Sequence, residues 1–261
     1  MSEYRPYKKL RNNSSTRLIR DKKVTWPDYK KYFNNDKICF RLIEHKDIQI
    51  VSNLWRECYG ELYGSPMNES WVLYPDLYND YVVFRDNFNE VSMNKDYFML
   101  IFENVLDSTI WGAWVFWKDD NNLQVDFGFG FIHPDFRHSN RDFNFEFYLQ
   151  DFLDIIEKES GAEYFTVACE TFQSKTQFLC FKRWGFKIAG IFPGEVTRWN
   201  GEQNEYRACI IHFYKFKPEI QKYISTTDEW NLLPEIQSIW NNLKEINLNN
   251  SHSTKDFIFN E

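Results

Sequence analysis

The side chains best suited to handling an anion are concentrated between Asp126 and Asp142. Asp126-Phe-Gly-Phe-Gly-Phe-Ile-His-Pro-Asp-Phe-Arg137 runs as an apolar strand into Pro134, and His138, Ser139, Asn140, Arg141 and Asp142 follow. A strand that ends where a helix begins gathers unpaired backbone N–H groups and the positive end of a helix dipole at one point, which suits a phosphate or diphosphate. Arg137, His138 and Arg141 can add side-chain charge there. Gly128 and Gly130 alternate along the strand, which implies a bulge, a close ligand approach, or room for bulky phenylalanine neighbours. Other chemistries find little support. Cys39, Cys58, Cys169, Cys180 and Cys209 form no CxxC pair, and His45, His133, His138, His212 and His252 are equally scattered. Neither a disulfide framework nor a metal site is therefore expected. Cys169 has no histidine in an obvious partner position and reads as a buried spectator rather than a nucleophile.

The elements that must position these residues are legible as hydrophobic periodicity. Ile38–Ile43 reads as a strand, and Asp47 as the N-cap of a helix carrying Ile48, Val51, Leu54, Trp55 and Cys58 before Gly60. Pro75–Phe88 is expected to hold a helix. Tyr97–Phe102, Thr109–Trp117 and Leu123–Ile132 read as three successive strands, the last two joined by the turn Asp119-Asp120-Asn121-Asn122. Phe145, Tyr148, Leu149, Phe152, Leu153 and Ile156 then mark an amphipathic helix that Gly161 ends. Glu163–Cys169 is the next strand, Ser174–Trp184 a helix stopped by Gly185, and Phe186–Phe192 and Tyr206–Phe216 the closing strands. Hairpins mixed with βα crossovers predict an α/β (α+β) fold, a mixed and mostly antiparallel sheet with helices on both faces.

Composition bounds the rest. The chain has 261 residues, of which 43% are hydrophobic and 19% aromatic, enough for a sizeable core and too aromatic for a disordered chain. No apolar run reaches membrane length, and no apolar segment follows Met1, so a cytoplasmic protein without a membrane partner is expected. Residues 1–37 hold eleven Lys/Arg against four Asp/Glu, a net +7, which leaves −14 on the rest of a chain whose total is −7. They read as a basic arm able to bind nucleic acid or another anionic partner, or to lie against its own acidic body. Residues 38–216 form the main domain. Residues 217–261 read as a helical extension, with Thr226 and Glu229 at capping-box spacing, an apolar stripe of Ile236, Trp240 and Leu243, and a polar tail. That extension can pack on its own domain or on a second copy in a homodimer.

The segment Asp126–Arg137 followed by an amphipathic helix resembles the strand and phosphate-loop entry of GNAT-superfamily N-acyltransferases. Phe181-Lys-Arg-Trp-Gly185-Phe186-Lys-Ile-Ala-Gly190 is similar to the helix-to-strand phrase of that superfamily. Trp199-Asn-Gly201-Glu-Gln-Asn-Glu-Tyr206 is similar to the final hairpin of the branch that acetylates ribosomal-protein N-termini. The likeness covers about residues 38–216 and rests on order and spacing, since no single phrase is specific. It implies acetyl-CoA or another acyl-CoA as co-substrate, with the diphosphate at residues 137–142 and the pantetheine arm along Phe131-Ile132-His133 and Ala168-Cys169-Glu170. It also implies transfer of the acyl group, acetyl by expectation, to a primary amine of a protein, peptide or small molecule.

Four positions depart from the pattern. Asn140 and Asp142 stand where the superfamily has loop glycines, which makes the phosphate loop degenerate. Ser174 stands for a frequent asparagine, and Phe181 for the tyrosine that protonates the leaving thiolate. Amine acylation needs removal of a proton, polarisation of a carbonyl and departure of a thiolate. Asp126 and Glu170 are the candidate bases, directly or through water, and Ser174, Cys169 or a water the candidate partners for the thiolate unless it leaves unaided. Two other readings stay open: a binding or regulatory module that keeps only the fold, and an enzyme that modifies a nucleic-acid base or uses a non-CoA donor.

Overall fold

A computed structural model describes residues 22–60, 69–90, 92–137, 145–199, 205–225, 230 and 232–250. Eight strands form one sheet: β1 (Lys30–Phe33), β2 (Ile38–Leu42), β3 (Tyr97–Asn104), β4 (Thr109–Asp119), β5 (Gln124–Ile132), β6 (Tyr164–Glu170), β7 (Lys187–Trp199) and β8 (Glu205–Phe216). Their spatial order is β1-β2-β3-β4-β5-β6-β8-β7. Every neighbouring pair is antiparallel except β5 and β6. That exception follows from the chain, because a helical crossover carries it from the end of one of those strands back to the start of the other.

Five of the helices bear on the site or its frame: α1 (Ile48–Tyr59), α3 (Pro134–Arg137), α4 (Phe145–Glu159), α5 (Ser174–Phe178) and α6 (Pro234–Leu248), with the four-residue α2 (Tyr78–Tyr81) lying between α1 and β3. On one face of the sheet α4 inserts Phe152 among Phe98, Phe116 and Tyr29, at ring-centroid distances of 5.0, 4.9 and 4.8 Å. On the other, α1 sets the fully buried Trp55 against Phe129 and Phe131 at 5.1 and 4.6 Å. Large aromatic side chains filling both layers account for the 19% aromatic content.

Several elements differ from the sequence reading. Residues 22–37 do not trail away from the body as an arm. Val24 and Trp26 are fully buried, the Trp26 indole donates to the Lys95 carbonyl at 2.6 Å, the buried Lys118 ammonium donates to the Val24 carbonyl, and β1 pairs with β2. The lysines around them masked three apolar anchors, Val24, Trp26 and Tyr29. The remainder of the arm, residues 1–21, lies outside the described residues. The helix expected over Pro75–Phe88 is broken into short turns, because Val82 and Val83 go extended and pair with Tyr97. β-branched neighbours favour that conformation. The expected helix Ser174–Trp184 widens to a π turn at Leu179–Arg183. β7 runs on to Trp199 through a bulge instead of ending at Phe192, as an edge strand can tolerate the proline at 193. Asp47 precedes α1 as expected but makes no side-chain cap to it. Its carboxylate is committed to Arg41 and to the Glu44 N–H.

The Thr226–Glu229 capping box lies outside the described residues. α6 instead opens on Pro234 in its first turn, and near its end Asn247 both accepts from the Ile188 N–H (2.8 Å) and donates to the Ile188 carbonyl (3.0 Å). One side chain thus imitates a neighbouring strand at the free edge of β7. None of the helices among the described residues is long and apolar enough to cross a membrane.

Candidate active site

β5 and β6 are joined by backbone pairing only at Gln124–Tyr164, Val125–Phe165 and Asp126–Thr166. Beyond that point β6 stays with β8 through Glu170, while β5 stays with β4 through Ile132. The sheet therefore opens into a wedge whose vertex is Asp126. A bulge on β5 sharpens the opening, since Trp117 opposes Asp126 but Val115 opposes Phe129. The glycines follow from packing against β4. A Cβ at Gly128 would lie 2.3 Å from the Val115 carbonyl oxygen, and one at Gly130 would lie 2.6 Å from the Trp114 ring. Room for a bulky neighbour is thus the reading that holds for Gly130, though the neighbour is tryptophan rather than phenylalanine.

Alternation decides which backbone groups face the wedge. The His133 N–H donates to the Trp111 carbonyl at 2.8 Å, so His133, Phe131 and Phe129 direct their amides toward β4. Gly130 and Ile132 direct theirs toward the opening, whereas the Gly128 N–H turns to the Asp126 carboxylate. Of the expected pantetheine edge Phe131-Ile132-His133, then, Ile132 alone turns its backbone to the wedge. The Phe131 side chain is core, packed on Trp55. The His133 ring is half-buried, 3.5 Å from Glu57 and 3.7 Å from Asp135. Tyr59, at the end of α1, donates its hydroxyl to the Gly130 carbonyl at 2.6 Å.

Asp126 carries the electrostatic tension of the site. Its residue is half-buried, but its carboxyl is withdrawn from water, and this desolvation pushes its pKa from 3.8 up to about 6. Partial compensation comes from the Thr166 hydroxyl, the Gly128 N–H and the field of His212. The Trp117 indole N–H leans toward the same carboxylate without forming a hydrogen bond of normal geometry. Among the described residues no Lys or Arg forms an ion pair with it. A carboxyl titrating near 6 can be ionised at neutral pH and still accept a proton.

The other expected catalytic residues stand elsewhere. Glu170 ends β6 on the far arm of the wedge, with Oε1 held by the Arg198 guanidinium at 2.8 Å and Oε2 buried without a partner. Ser174 opens α5 and is exposed. Cys169 is buried and its thiol is pushed up to about 12, chiefly by desolvation, which fits the spectator reading. Arg137 closes α3, while His138, Ser139, Asn140, Arg141 and Asp142 lie outside the described residues. Sequence reasoning missed Tyr59 and His212. Tyr59 lies 71 positions from the carbonyl it engages, and no local pattern marks it. His212 is equally unmarked, since its same-face neighbours along β8 are Ala208, Ile210, Tyr214 and Phe216.

A mixed sheet of this order, splayed between two parallel strands and followed by a helix at the C-terminal end of β5, is a GNAT-like fold, shared with solved acetyltransferase structures. The ribosomal-protein-S5-alanine acetyltransferase of Vibrio fischeri superposes with a TM-score of 0.55 at 13% identity, over 74% of this chain and 98% of its own. The Vibrio cholerae spermidine N-acetyltransferase, solved with CoA and spermine, gives 0.51 at 16% identity, over 74% and 100%. A probable GNAT-family acetyltransferase of Chromobacterium violaceum gives 0.50 at 11%, over 77% and 94%. At such identities the likeness is one of fold. No protein-family model matches the chain, and no curated protein sequence does.

Proposed function

We propose that the protein is an N-acyltransferase that moves an acetyl group from acetyl-CoA to a primary amine, with Asp126 as the base. The observation that carries this reading is the coincidence of the wedge vertex with a carboxyl raised to about 6. A bound acetyl-CoA would supply an activated thioester. The residues present fit such a molecule in one respect: Gly130 and Ile132 face the opening as a strand edge, to which an extended amide-bearing arm can pair. Arg137, His138 and Arg141 are proposed to meet the diphosphate. Asp126 ionised at pH 7 takes the proton of the incoming ammonium, directly or through one water, so that the amine attacks as a neutral base. With phenylalanine at 181, the thiolate departs without a tyrosine to protonate it.

Isothermal titration with acetyl-CoA tests the donor, and mass-spectrometric detection of acetylation across a panel of peptides with free N-termini and of polyamines tests the acceptor. Saturable heat and a mass gain on at least one amine are expected. A folded protein that gives no heat would leave the fold as a binding module and end the enzymatic reading.

A further inference from the structure

A buried base that accepts one proton per turnover must lose it again before the next. Asp126 is withdrawn from water and is met by donors, the Thr166 hydroxyl and the Gly128 N–H, so the proton needs a route out. Strand register shows where an exit lies. Asp126 pairs with Thr166, Thr166 pairs with Tyr214, and His212 stands two residues along β8 from Tyr214, so all four project from one face of the sheet. The Thr166 hydroxyl donates to Asp126, and His212 is the imidazole whose charge is felt there.

His212 is not left to rotate. Its Nε2 meets Glu195 Oε2 at 2.7 Å, and both side chains are 35% exposed. Glu195 reaches it because β7 bulges between Phe192 and Val196, with Gly194 at φ +64°, a conformation glycine adopts without strain. The Arg207 guanidinium donates to the Gly194 carbonyl at 2.6 Å and fixes the bulge, and Phe192 packs edge-on against the imidazole at 4.6 Å. The groups facing Asp126 are thus Trp117 of β4, Thr166 and Tyr164 of β6 and His212 of β8; those facing His212 are Asp126, Glu195 and Phe192.

From this arrangement we infer that His212, held by Glu195, is the route by which the proton taken up at Asp126 reaches solvent. The inference rests on the acylation reading, and the first of its tests is independent of that reading. The ammonium N–H bond breaks as the Asp126 O–H bond forms; the proton then passes through water to the imidazole, and from the half-exposed imidazole to bulk water, leaving Asp126 ionised. His212 is a positioning residue here, since it acts through Asp126 and touches no substrate.

Three measurements decide the matter. Carbon-13 NMR of the Asp126 carboxyl, assigned by its loss in Asp126→Asn, needs no ligand. In His212→Gln its titration midpoint is expected to rise by about half a unit, because the imidazole whose field lowers it has been removed. In steady-state acetylation of whichever amine the wild type accepts, His212→Ala is expected to lower kcat at least about tenfold with acetyl-CoA affinity unchanged, and added imidazole to restore part of it. Glu195→Gln is expected to give the same kcat defect in weaker form. An unmoved Asp126 midpoint, or a kcat defect that imidazole leaves untouched, would overturn the relay. A wild type that transfers nothing would instead remove the acylation reading, and the midpoint would still report whether the two groups are coupled.

Discussion

Two clusters of ionisable groups are buried against the sheet, and they are built on opposite principles. At Arg41 every charge has a partner: the guanidinium, 3% exposed, bonds Asp47 at 2.6 and 3.0 Å and Glu103 at 2.6 Å. Burial alone would lower the Arg41 pKa, yet these carboxylates hold it above its ordinary value. At Asp126 the carboxyl meets neutral donors and the field of one histidine, and desolvation wins. The first arrangement ties β2, β3 and the start of α1 together. The second leaves a carboxyl whose charge is only partly stabilised, which is what a proton acceptor at neutral pH requires.

The sharpest way to break this comparison is Asp126→Asn. Removing a positioned base is expected to lower kcat by about 10²–10⁴-fold while acetyl-CoA still binds, as turnover and calorimetry on the same preparation would show. Retention of full turnover would move the base elsewhere. Arg41→Met acts on the other cluster and should do the reverse. It strands Asp47 and Glu103 in the interior, at a cost of about 3–5 kcal/mol read from urea denaturation midpoints, with the wedge chemistry surviving in whatever fraction folds.

The pH dependence of stability separates the clusters again. The folded pKa of Asp126 is raised, to about 6, over an ordinary 3.8. Its contribution to stability is therefore fully present below about pH 4 and is lost as the pH rises through 6. Comparing wild type with Asp126→Asn cancels the other titrating groups. Their difference in unfolding free energy should change by about 1–3 kcal/mol between pH 4 and pH 7, with the wild type losing ground. A difference that stays flat would mean that the carboxyl is solvated after all.

What the sequence disclosed, and what it hid, follows the same division between local and distant causes. The strand carrying Asp126, the helix carrying Phe152 and the glycine stops at Gly60, Gly161 and Gly185 are written in nearest-neighbour chemistry, and all three of these glycines have positive φ. The state of Asp126 depends on Thr166, 40 positions away, and its ionisation cannot be read from its own segment. Charge misled at the N-terminus, where five lysines between residues 22 and 37 obscured the buried Val24, Trp26 and Tyr29. The strand expected to end at Phe192 instead runs on to Trp199, and the bulge after Phe192 is what aims Glu195.

The smallest expected effect concerns the open edge itself. The Tyr59 hydroxyl sits on the Gly130 carbonyl at 2.6 Å, the position at which a pantetheine amide would have to donate if it paired with β5 as a strand does. The ring stacks on Trp55 at 5.7 Å, so Tyr59→Phe keeps the packing and deletes only the donor. If the hydroxyl stands in for the ligand, the substitution leaves that carbonyl to the incoming amide, and acetyl-CoA should bind more tightly by about 0.5–1.5 kcal/mol in a calorimetric titration. If Tyr59 instead swings away and holds the ligand from the α1 side, affinity falls by a similar amount. The sign thus tells whether β5 or α1 makes the first contact with the donor, and so which wall of the wedge has to move before Asp126 is reached.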